Sequence, residues 1–156
     1  MQLTIRTYDD AVREQTLAAI KRVVEGTAEA AGVPEDRAPV VTMRGAESSP
    51  VLQNTPELVA RVTGVFRGVL GESNVVERKP VMAGEDFGRF GREEPRVPVF
   101  LFWLGAVAPQ RMAESQRDGA SPLPGLHSSR FLPEPKATIR TGVVAMTSAA
   151  IDLLRE

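Results

Sequence analysis

The run Val97 to Leu104, VPVFLFWL, limits the folds open to this chain more than any other stretch. Side chains alternate along an extended backbone, so Val97, Val99, Leu101 and Trp103 fall on one face and Phe100, Phe102 and Leu104 on the other. A strand that is apolar on both faces has to be covered on both, as a central strand of an α/β sheet is. Pro98 must then stand near its start, where a missing N–H is tolerated. Trp103 is assigned to the core. The expected fold class is α/β.

The flanking segments supply the other elements. Residues Leu3 to Tyr8, LTIRTY, alternate with Leu3 and Ile5 on one side and Thr4, Arg6 and Tyr8 on the other, which predicts a strand with one covered face. Asp9 or Asp10 caps a helix to about Ala31, with Val12, Ala19, Ile20, Val23, Val24 and Ala28 at helical spacing and Gly32 at its end. Pro39 to Arg44, PVVTMR, reads as a second strand. Gly45 to Asn54 is a polar link, and the domain boundary is placed near Ser48. Thr55 and Pro56 open another helix, whose stripe is Leu58, Val59, Val62, Val65, Phe66, Val69 and Leu70, and Gly71 stops it. Val75 to Glu77 is a short strand, and Met82 to Phe90 is a turn entering a short helix. Ala106 to Gly119 reads as an irregular insertion. Pro133 to Arg155 is the last helix, with Ile139, Val143, Met146, Ala150 and Leu153 as its apolar face.

Composition excludes several classes. With 42% hydrophobic residues the chain has the material for a core, and its formal net charge of −1 gives no basic field for nucleic acid or an anionic membrane. It contains no cysteine, so disulfides and thiolate metal sites are excluded. The start MQLTIRTYDD lacks the basic and apolar regions of a signal peptide, and no apolar run reaches the length of a membrane span. The expectation is a cytoplasmic protein.

Candidate chemistry is sparse. His127, the single histidine, stands in SPLPGLHSSRF, where Pro122, Pro124 and Gly125 predict an ordered loop. A neutral imidazole in such a loop suits a metal, and an ordinary hydrogen-bonding role suits it as well. Glu85 and Asp86 follow Gly84, and either serves as a metal or base carboxylate or as the cap of the next helix. Arg6 lies on the polar face of its strand, where it can pair with a carboxylate or stay solvated. Arg44 and Arg130 are weaker cases of the same kind. The nucleophile-elbow, phosphate-loop, zincin and dinucleotide motifs are absent.

The order of the segments carries more than any one residue. LTIRTYDDAVRE, NTPELVARV, MAGEDFGRF, VFLFWLG, PGLHSSRF and IRTGVVAMTSAAIDLL resemble the C-terminal part of the zinc-dependent amidohydrolases. That family includes hippurate hydrolase, N-acyl-amino-acid and auxin-conjugate amidohydrolases, aminoacylase and carboxypeptidase G. The GEDF turn, the apolar run ending in Leu104 and Gly105, and the LHS loop are its most specific pieces.

The resemblance implies a two-domain parent: a metallopeptidase-like α/β catalytic domain and a ferredoxin-like α+β lid that also forms a homodimer. Residues 1–48 would be the second half of the lid, and residues 49–156 the C-terminal part of the catalytic domain. By resemblance His127 is a metal ligand, Arg6 contacts the substrate carboxylate, and Gly84, Glu85 and Asp86 lie at the active-site rim. The implied cofactor is a pair of divalent ions, zinc first, with manganese or cobalt as alternatives. The implied substrate is a small N-acyl amino acid. No segment matches the metal motif with its bridging aspartate, the Glu-Glu pair of the general base, or the lid histidine, so no catalytic residue is assigned in this chain. The expected identity is a fragment of a metal-dependent amidohydrolase, inactive alone. The alternative is a non-catalytic remnant that acts as an interaction or dimerisation module.

Overall fold

The computed structural model describes residues 1–45 and 48–155. Ala46 and Glu47, in the expected link, lie outside the described residues, as does Glu156. The longer helices are α1 (Asp10–Ala30), α2 (Pro56–Leu70), α3 (Pro109–Ser115) and α4 (Pro135–Leu153), and short 3-10 turns occupy Glu35–Arg37, Glu72–Asn74 and Asp86–Arg92. None of the helices among the described residues is long and apolar enough to cross a membrane.

No strand forms among the described residues. The strands expected at Leu3–Tyr8, Pro39–Arg44, Val75–Glu77 and Val97–Leu104 are therefore corrected, and of the α/β reading only the helices are present. The reason is visible at Val99. The Thr55 N–H donates to the Val99 carbonyl at 2.8 Å, but the Val99 N–H donates to the Thr55 hydroxyl at 3.0 Å. A side chain takes the place of the second backbone partner, which departs from ladder pairing at this position. Alternation can specify the faces of a strand, but it cannot supply a neighbour.

The chain divides into two compact units, each made of two segments. The first comprises Met1–Thr55 and Arg78–Val99, and the second Pro56–Glu77 and Phe100–Glu156.

In the first unit α1 begins where its sequence predicts. Asp9 is its N-cap, and its carboxylate accepts the Val12 N–H at 2.9 Å. Gly32, at φ 65°, ends it: the Gly32 N–H donates to the Glu29 carbonyl at 2.9 Å and the Val33 N–H to the Ala28 carbonyl at 3.0 Å. This is the Schellman pairing, which needs the left-handed backbone that glycine adopts without strain. No α1 side chain among the described residues is buried, and Val12 and Val23 are exposed. Gly88 and Gly91 allow close packing of the 3-10 turn Asp86–Arg92. A Cβ at Gly88 would come within 3.1 Å of Leu52 Cα, and one at Gly91 within 3.0 Å of Val99 Cγ2.

The second unit is organised by α2 against α4. Val62, Phe66, Ala145 and Ala149 are buried together, with Leu58, Leu70, Val75, Phe100 and Phe102 packed around them. The Phe66 ring meets Phe102 edge-on at 4.9 Å and Phe100 at 6.3 Å. Phe100 and Phe102 thus share a face, as their alternation predicts. Trp103 is 55% exposed, which corrects its assignment to the core.

α4 turns a different face inward from the one expected. Ala145 and Ala149 are buried, whereas Ile139, Val143, Met146 and Leu153 are exposed. Gly142, on the inner side, would place a Cβ 3.1 Å from Leu104 Cδ2. The small residues let the helix axes approach, and interaxial distance follows side-chain size. An apolar stripe read by size therefore picked the face left uncovered. Arg61 fastens the same pair of helices: its Nε meets Asp152 Oδ2 at 2.6 Å and its Nη2 donates to the Asp152 carbonyl. Both partners are partly exposed, so packing rather than this ion pair dominates.

Two outcomes are expected. Phe66→Ala removes the centre of the small core and should cost about 3–5 kcal/mol, a large part of the stability of an ordinary domain. Urea unfolding followed by far-UV circular dichroism should show the helical signal lost at a much lower midpoint, and an unchanged midpoint would contradict this packing. The uncovered faces of α1 and α4 should also make the chain self-associate, and sedimentation velocity should resolve species above the monomer that increase with concentration.

Candidate functional site

The residues singled out from the sequence fall in both units. Arg6, Gly84, Glu85 and Asp86 belong to the first unit, and His127 and Arg130 to the second.

The turn MAGED is built from its local chemistry. Glu85 has an extended backbone at φ −153° and stands as N-cap of the 3-10 turn Asp86–Arg92. Its Oε1 accepts the Phe87 N–H at 3.1 Å, so the capping role weighed for this residue is the one present. The Asp86 carboxylate accepts a short hydrogen bond from the Ser49 hydroxyl. Arg89 Nη2 donates to the Ser48 carbonyl at 2.6 Å, and Arg13 Nη2 reaches the Ser48 hydroxyl at 2.7 Å. Arg92 pairs with Asp10 at 2.6 Å, joining the far end of the turn to the start of α1. The Phe87 and Phe90 rings lie 5.5 Å apart.

Arg6 meets this turn from far along the chain. Its Nη1 donates to the Met82 carbonyl at 2.9 Å. The same nitrogen lies 3.4 Å from the position a Cβ would occupy on Gly84. Arg6, Glu85 and Asp86 are exposed, so all are within reach of a dissolved ligand.

His127 is in the middle of a tight turn closed by the Ser128 N–H on the Gly125 carbonyl at 2.9 Å. A second turn follows, with the Phe131 N–H on the Ser128 carbonyl at 3.0 Å and the Arg130 N–H on the Ser128 hydroxyl at 3.2 Å. The loop is ordered by its backbone, as its prolines and glycine predict, and the imidazole is exposed. A catalytic zinc needs about three protein ligands. Among the described residues no group of three or more His, Asp or Glu side chains could hold a metal ion. The side chains present therefore do not make up a metal centre by themselves.

Sequence reasoning missed the serine pair and the arginines that hold the turn. Ser48 and Ser49 lie in the stretch read as a polar link, and nothing in the sequence assigned Arg13 and Arg89 to the turn. The spacing of Arg89 three residues after Asp86 is a weak signal, since it puts both on one short helical turn. The insertion after Ala106 also holds α3, whose Pro109 in the first turn was the available signal.

No family model and no solved structure matches the chain. Curated relatives do. The chain is 32% identical over 101 residues to thermostable carboxypeptidase 2 of Saccharolobus solfataricus, covering 65% of this chain and 24% of that protein. It is 36% identical over 78 residues to the N-acetyldiaminopimelate deacetylase of Bacillus pumilus, covering 50% of this chain and 16% of the relative. With the enzyme of the same name from Lactococcus lactis it shares 28% identity over 117 residues, 74% of this chain and 29% of the relative. The chain thus spans between 16% and 29% of the length of these relatives. Over that part it is related to carboxypeptidases and N-acetyldiaminopimelate deacetylases, members of the amidohydrolase family that its motifs resemble.

Proposed function

We propose that this chain is part of a metal-dependent amidohydrolase that cleaves the amide bond of N-acyl amino acids or similar conjugates. The observation that carries the reading is the similarity to carboxypeptidase 2 at 32% identity over 101 residues, together with the GEDF and LHS motifs inside the chain. Residues 1–48 correspond to half of a lid and dimerisation domain, and residues 49–156 to the C-terminal part of an α/β catalytic domain. In the parent, the segments read as strands, Leu3–Tyr8, Pro39–Arg44, Val75–Glu77 and Val97–Leu104, belong to sheets completed by further strands. His127 is one ligand of a pair of divalent ions, zinc first, and the remaining ligands and the general base come from elsewhere in the parent. Arg6 binds the free carboxylate of the substrate, and Gly84, Glu85 and Asp86 form the rim. The parent is a cytoplasmic homodimer.

A second reading rests on the uncovered apolar faces of α1 and α4, with Val12, Val23, Ile139, Val143 and Met146 exposed. On that reading the chain is a non-catalytic interaction module. The coding region separates the two. A reading frame that continues upstream into a histidine–aspartate metal motif supports the enzyme, and an independent start with its own ribosome site supports the module.

Two activity outcomes follow from the first reading. The purified chain, supplied with Zn²⁺, Mn²⁺ or Co²⁺, should show no turnover of hippurate or other N-acyl amino acids. Turnover that His127→Ala abolishes would mean that the chain carries a complete site and is not a part of one. In the parent, Arg6→Ala should raise KM for a carboxylate-bearing substrate by about 10- to 100-fold with kcat little changed, the loss of one charge-assisted contact. His127→Ala should release metal, as measured by elemental analysis of the purified protein.

A further inference from the structure

We draw no further inference here: the strongest candidate, the exposed apolar stripe of Ile139, Val143, Met146 and Leu153 along α4, carries nothing because nothing in the structure shows what covers it.

Discussion

The second unit depends on one contact, the approach of α2 and α4 through the small residues of α4. Ala145 is fully buried and Ala149 nearly so, beside Val62 and Phe66. An alanine surface lets two helices close to short range, and the Phe66 ring then fills the space beneath with Phe100 and Phe102. The rest of the unit follows from that approach. Arg61 can reach both the side chain and the carbonyl of Asp152 only because the helices are close. Leu104 rests over Gly142 for the same reason.

A core this small sets a limit on what the chain can do alone. Ordering a residue costs about 1–2 kcal/mol of backbone entropy, and apolar burial is the main term that offsets it. Large apolar side chains at Val12, Val23, Ile139, Val143 and Met146 contribute little to that term while they are exposed. Their periodicity along α1 and α4 is that of faces meant to be covered. The relatives offer a reason, since this chain aligns with no more than 29% of any of the three described.

What was legible in the sequence divides along that line. Helices are local objects, held by bonds between residues four apart, so their signals lie within the segment itself. Asp9, Gly32 and Gly71 mark boundaries that the structure keeps, and the Pro135 helix is present as expected. Strands are not local. VPVFLFWL gives the correct common face for Phe100 and Phe102, yet at Val99 one of the two bonds to Thr55 is taken by a side-chain hydroxyl. The face of α4 was misread for a related reason: hydrophobicity ranks Ile139 and Met146 above Ala145, while close packing against a second helix favours the smaller residue.

The candidate site shows the same boundary between local and long-range information. The order of the LHS loop is local, and Pro122, Pro124 and Gly125 announce it. Glu85 capping its own short helix is local too. The meeting of Arg6 with the turn is not, because 76 residues separate Arg6 from Met82. No spacing rule connects them. The turn is itself held by Ser49 on Asp86 and by Arg89 on Ser48. Two distant segments, each held by polar contacts to a third, make a more definite anchor for a charged group than either could alone.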